Sequence, residues 1–345
     1  MESLLWSEIH EQPEIVRNLI AGENERIAAL GRKLRSRPCR FVYLAARGTS
    51  DNAARYGQYL FGGINRLPVA LSAPSLFTAY RTPPRIADAL AIGISQSGQS
   101  PDIVAVLEEA RRQGAPTIAV TNDADSPLAR AAEDVLLLGA GRERSVAATK
   151  TYTSQLTVLA MLSLALAGEL RPEALAPVVP WMAAALEAEP AAQAAAERIA
   201  DSGRAVVLGR GYNYCTANEI ALKIKELSGV EAEPYSTADF KHGPIAMAEG
   251  GFPVLLVSAG ATFRREMIEM ADRVRAQGAR VVALADELPG LQPQDSKIPL
   301  PPGEPEWLTP IAAVIPGQLL ALHLTRARGS DPDNPRHIRK VTLTH

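Results

Sequence analysis

The sequence predicts an α/β protein made of two tandem lobes, each a doubly wound parallel sheet with helices on both faces, a three-layer αβα arrangement. Short apolar runs alternate with helical stretches of about 10 to 15 residues, the pattern of βαβ units whose strands lie parallel. The alternation also occurs twice on one plan. Gly48 closes an apolar run 66 residues before the Gln-Gly turn at Gly114, and Gly211 does so 67 residues before the Gln-Gly turn at Gly278.

Along the chain, Pro13 to Arg35 reads as the one helical pattern before the first strand. The first copy then runs from the strand Phe41 to Ala46 into Arg47-Gly48-Thr49-Ser50 and a helix. It continues with the strand Leu90 to Ile94, the loop Ser95-Gln96-Ser97-Gly98, a helix to Gly114 and the strand Thr117 to Val120. Leu156 to Gly168 is the longest apolar stretch; broken by Thr157 and Ser163 and shorter than the roughly 20 residues a bilayer requires, it reads as a buried helix. Arg171 to Ala200, rich in alanine with Pro172, Pro177, Pro180 and Pro190, reads as short helices at a joint.

The second copy answers with Ala205 to Gly209 and Arg210-Gly211-Tyr212-Asn213, a helix over Asn218 to Ser228, and strands Val230 to Tyr235, Phe252 to Val257 and Arg280 to Leu284. Asp286 to Pro310 holds seven prolines around one short strand, Ile298 to Leu300, before a last helix from Pro310 to Arg328 and a polar tail. The expected division is a helical segment 1–35, a first lobe 36–170, a linker 171–200, a second lobe 201–328 and a tail 329–345.

A chain of 345 residues supports about two cores of ordinary size. With 47% hydrophobic and 21% charged residues and a net charge of -2, it reads as globular, with neither nucleic acid nor membrane as partner. Glu2, Glu8, Glu11 and Glu14 make the N-terminus unlike a basic-then-apolar secretory leader. The two cysteines, Cys39 and Cys215, form no disulfide framework or metal spacing, and a reducing cytoplasm fits.

Ligands of open α/β sheets bind beyond the carboxyl ends of the strands, where helix N-termini favour anions. Gly48-Thr49-Ser50 and Ser95-Gln96-Ser97-Gly98-Gln99-Ser100 stand at such ends, before Pro101. Their hydroxyls suit a phosphate; they equally suit helix capping. Lys150, near the start of the long apolar helix, either serves an anion or points into solvent, the commoner arrangement. Lys223 and Glu226, three apart on a helix, share one face, as a surface ion pair would too. His242, in a loop before Gly243-Pro244, is placed either for acid-base work or for a structural role.

In combination, Ser95-Gln96-Ser97-Gly98, Ala148-Thr149-Lys150, Ala221-Leu222-Lys223-Ile224-Lys225-Glu226, Lys241-His242-Gly243-Pro244 and the tail Asp331-Pro332-Asp333-Asn334-Pro335-Arg336 resemble the sugar isomerase (SIS) family. The likeness covers both lobes, from about Glu8 onward, and is to the isomerase half of glucosamine-6-phosphate synthase and to amino sugar phosphate deaminases. The resemblance implies two tandem SIS domains. It implies a sugar phosphate bound by Gly48, Thr49, Ser50, Ser95, Gln96, Ser97, Ser100, Val146, Ala148 and Arg339. It gives Glu226 the proton shuttle between C1 and C2, His242 the ring opening, Lys340 the open-chain carbonyl and Lys223 the positioning of substrate. It also implies a homodimer with shared active sites, the histidine serving the neighbouring subunit.

No cofactor or metal is called for, since one carboxylate reaching two adjacent carbons suffices for the proton transfer. Two departures stand out. The chain begins Met1-Glu2-Ser3-Leu4, without the cysteine nucleophile of a glutaminase domain, and Ala148 stands where the synthase has a serine. The expected activity is therefore deamination and isomerisation of glucosamine 6-phosphate or a close relative. The alternatives are a phosphosugar isomerase, a deglycase, an aminotransferase using free ammonia, and a non-catalytic sugar-phosphate sensor.

Overall fold

The computed structural model describes residues 3–37, 39–335 and 340. The chain divides into two compact units that exchange segments. One takes Glu14–Glu143, Lys150–Ala176 and, among the described tail residues, Lys340; the other takes the N-terminus to Pro13, Arg144–Thr149 and the chain from Pro177.

The first unit carries strands β1 (Phe41–Ala45), β2 (Val69–Leu71), β3 (Ala89–Ile94), β4 (Thr117–Thr121) and β5 (Asp134–Leu137), all parallel, in the order β2-β1-β3-β4-β5. β3 and β4 are buried throughout, as expected of central strands covered on both faces. The edge strands β2 and β5 are only partly buried, and their weak patterning hides them in the sequence. The helix Lys150–Ala167 is buried from Lys150 through Ala165, so it forms a core element rather than an amphipathic cover.

The second unit carries β6 (Arg204–Gly209), β7 (Glu231–Ser236), β8 (Pro253–Ser258), β9 (Arg280–Ala285) and β10 (Ser296–Pro299), again parallel, in the order β10-β9-β8-β6-β7. Read from its other edge, this is the order of the first sheet, so the duplication extends to topology. Leu44 pairs with Ile92 across β1 and β3, and Val207 with Leu255 across β6 and β8. In each sheet the strand order reverses at that pair, which opens a crevice at the carboxyl ends.

The helix Thr309–Ala327, reached through a turn at Glu306–Leu308, is long and apolar enough to span a membrane by composition. Its apolar window is entirely buried, packed against the helices Glu189–Ile199 and Tyr214–Ser228.

The N-terminus differs from the expectation of one helical pattern. A separate helix, Leu4–His10, precedes the helix Gln12–Arg35. Seven residues do not hold a helix alone in water. Here Ser3 caps Trp6 N, and Asp333 accepts from Leu4 N at 2.8 Å and Leu5 N at 3.0 Å. Its partners come from the far end of the chain, out of reach of local patterning.

Candidate functional site

At the first sheet's crevice, β1 is followed by Arg47 and Gly48, and Thr49 and Ser50 open the helix Thr49–Gly63. β3 ends in the Ser95–Ser100 loop before the helix Pro101–Arg112. Ser100 makes no side-chain cap on the helix it precedes, so capping does not account for that serine.

Ser95 Oγ instead accepts from Gly98 N at 3.1 Å, and Ser97 Oγ accepts from Gln99 N at 3.3 Å. Gly98 has φ +62°, and a Cβ there would stand 2.2 Å from Ser126 Oγ; only glycine fits. Ser50 is buried and its hydroxyl accepts from Gln155 Nε2 at 2.9 Å, whereas Thr49, Gln96, Ser97 and Ser100 are half-buried and Gly48 exposed. Arg47 Nε bonds Asp102 Oδ2 at 2.8 Å and ties the two loops together. Asp102 is 1% exposed, in a helix first turn that favours its charge.

Lys150 corrects the expectation that it points into solvent: it is 5% exposed. The helix it begins is enclosed by the unit, and that packing overrides the surface preference of lysine. Just before it in the chain, Glu143 is buried and accepts from Thr151 N at 3.2 Å and Thr151 Oγ1 at 2.8 Å. Lys340 Nζ lies 2.6 Å from Glu143 Oε2. Sequence reading passed over Glu143, and nothing local marked it. Arg339 lies outside the described residues.

In the second unit, the helix Tyr214–Ser228 ends at Gly229, in the left-handed region, and carries Glu219, Lys223 and Glu226. Lys223 is not at the surface, as an ordinary ion pair would be. Its side chain is 1% exposed, with Nζ 2.5 Å from Glu226 Oε2 and 3.4 Å from Glu219 Oε1. Glu219 is fully buried and Glu226 is 27% exposed. The three residues form a ladder on one helix face, with one end open. Sequence reading missed Glu219, although its position four before Lys223 was a usable signal.

His242 follows the short helix Thr237–Phe240, with its ring exposed in an open recess lined by Lys241, Phe263, Arg265, Glu266 and Glu269. Burial acts to raise the Glu266 carboxyl. The Thr237 hydroxyl bond at 2.6 Å and the charges of Lys241 and Arg210 outweigh this and hold it below the ordinary glutamate range.

Val146 and Ala148 are half-buried and alternate with the buried Ser145, Ala147 and Thr149. Glu8, on the helix Leu4–His10, anchors this segment. Glu8 is 4% exposed and accepts from Arg144 N at 2.6 Å, from Ser145 N at 3.0 Å and from the Ser145 hydroxyl. Its helix is fixed in turn by Glu189, which takes Trp6 Nε1 and His323 Nε2, both at 2.9 Å, and by Gln12 of the next helix, whose Nε2 donates to Ile9 O at 2.9 Å and to Gln318 Oε1 at 2.8 Å.

Comparison with known proteins identifies the family and the fold. The profile described as "SIS domain" matches residues 37–165 and 198–327, one match per sheet. The glutamine–fructose-6-phosphate aminotransferase (isomerizing) of Thermococcus kodakarensis is 35% identical over 348 residues, covering 97% of this chain. The match spans 57% of that relative's length. A solved structure from Silicibacter pomeroyi DSS-3, provisionally described as a phosphosugar isomerase, is 35% identical with TM-score 0.87 and covers 96% of this chain and 100% of its own. A glucosamine-6-phosphate deaminase from Thermotoga maritima shares the fold with TM-score 0.82 at 20% identity, covering 99% of this chain and 100% of its own.

Proposed function

The chain belongs to the SIS domain family, and on that premise we propose that this enzyme deaminates and isomerises glucosamine 6-phosphate, or a close relative, to fructose 6-phosphate and ammonia. The observation that carries the reading is the Glu219–Lys223–Glu226 ladder. A buried lysine between two carboxylates is costly for a fold to keep unless its charges are used, and Glu226, the partly exposed end, is the member free to meet a substrate.

In this reading, Ser95, Gln96, Ser97 and Ser100 bind the phosphate, with Gly48, Thr49 and Ser50 beside the sugar. The uncommitted Ser100 hydroxyl at the helix cap supports that assignment. The family likeness assigns Val146, Ala148 and Arg339 to the sugar phosphate as well. His242 transfers the proton that opens the ring, and its exposure supports service to a neighbouring subunit in a homodimer. Glu226 then takes the proton from C2 and returns it to C1, while Lys223 steadies its charge. The resulting C2 imine takes up water and releases ammonia, so amino sugar phosphate plus water becomes ketose phosphate plus ammonia. Lys340 meets the open-chain carbonyl. Cys39 and Cys215, which form no disulfide, fit a cytoplasmic setting.

The likeness to the aminotransferase favours a second reading, the same proton transfer run toward the amino sugar with free ammonia. A non-catalytic sensor needs the phosphate loop and has no use for the ladder. Following ammonia and fructose 6-phosphate together from glucosamine 6-phosphate, with Glu226→Gln as control, tests the reading. Equal release lost in the variant supports it. Release of neither product while sugar phosphates still bind overturns it.

A further inference from the structure

We infer that Glu143 is the proton partner of Lys340 and the residue that holds its amine in place, a role that rests on the reading above for Lys340. The Glu143 side chain is fully buried, yet a cation from 197 positions along the chain lies against it, Lys340 Nζ being 2.6 Å from Oε2. The carboxylate is fixed by the unit itself. Thr151 donates its backbone N–H to Oε1 and its hydroxyl to Oε2, at the start of the helix Lys150–Ala167, whose N-terminal end favours an anion.

The lysine is the delivered member, arriving from the tail with its side chain 23% exposed. Desolvation offsets most of the attraction within a buried pair, so stability alone is a weak reason to keep one. A nucleophilic amine gives a stronger reason, because it must shed a proton before it attacks.

The step balances. Lys340 Nζ gives a proton to Glu143 and forms the C–N bond as the carbonyl π pair moves to oxygen. Glu143 returns that proton to the oxygen, then takes a second from nitrogen and gives it to the departing hydroxyl. Ammonium plus carbonyl become iminium plus water, Glu143 ends as the carboxylate it began, and no oxidant or reductant is consumed.

Borohydride trapping with fructose 6-phosphate, with the adduct located by mass spectrometry, tests the assignment. The intact chain is expected to be trapped at Lys340. Glu143→Gln should slow trapping about 100-fold at pH 7, and the deficit should shrink as pH rises and hydroxide takes over as base. Glu143→Asp should recover part of the rate. Thr151→Val, which keeps the carboxylate and loosens its seat, should slow trapping less than Glu143→Gln does, and a melting curve for each variant separates folding from chemistry. Arg142, Arg144 and Lys150, the other charged groups of the segment, are present in every variant, so differences in pH profile report Glu143. Normal trapping in Glu143→Gln, or a deficit independent of pH, overturns the assignment and leaves the role of Lys340 standing. Absence of any Lys340 adduct in the intact chain overturns both.

Discussion

The two sheets share one topology, but their crevices are used differently. Beyond β1 and β3, the Ser95–Ser100 loop turns its hydroxyls onto its own backbone and leaves the helix cap at Ser100 unused. Beyond β6 and β8, built-in carboxylates take up the backbone. Asp286 Oδ2 accepts from Gly260 N at 3.0 Å, and Glu306 Oε2 accepts from Thr262 N at 3.4 Å and from the Thr262 hydroxyl at 2.5 Å. Gly260 has φ +92°, and a Cβ there would lie 2.6 Å from Glu306 Cγ, so the glutamate fills the space above the turn. Phe263 closes the rest, with the Arg210 guanidinium 5.2 Å from its ring centre. Duplication preserved the geometry that attracts anions, and the second copy meets that attraction with its own side chains. The chemistry proposed for the second sheet lies instead on the helix Tyr214–Ser228.

The largest effect expected from this contrast is at Glu226. Glu226→Gln should lower kcat by about 10³-fold with binding of sugar phosphates unchanged, as steady-state kinetics and calorimetry would show. A matched pair of hydroxyl variants probes the crevices themselves. Ser97→Ala should raise KM about 10- to 100-fold by removing a bond to a charged phosphate. Thr262→Val in the second crevice should leave KM unchanged and cost about 1 kcal/mol of stability. Equal KM effects would break the comparison.

Glu8 is another internal carboxylate placed on backbone N–H groups. Glu8→Ala strands Arg144 N, Ser145 N and the Ser145 hydroxyl, and should cost about 1–3 kcal/mol in denaturant unfolding. A drop in kcat/KM would follow if Val146 and Ala148 shape the pocket. The smallest effect concerns Glu266. Its folded carboxyl titrates below the unfolded one, so its stabilisation is full above the ordinary glutamate range and fades as pH falls through the lowered value. Melting curves of Glu266→Gln should therefore fall below those of the unaltered chain at neutral pH and converge with them on acidification.

The duplication was legible because central strands buried on both faces are written as apolar runs, and the glycine turns between them keep their spacing. Lys223 and Glu226 were legible as neighbours because a helix brings residues three apart together. Their burial was not, since that depends on what covers the helix. The edge strands β2 and β5 escaped notice because short, half-buried strands carry little pattern.

By itself, the sequence determined what local periodicity can encode: two βαβ lobes, the turns that end β1, β3, β6 and β8, and the one-face spacing of Lys223 and Glu226. Tertiary structure alone decided the pairing of Lys340 with Glu143, the anchoring of Ser145 by Glu8 and the capping of Leu4 by Asp333, across 197, 137 and 329 positions. It also placed Asp286 and Glu306 in the second crevice. A buried carboxylate must find donors, and which donors reach it is set by how the chain returns on itself.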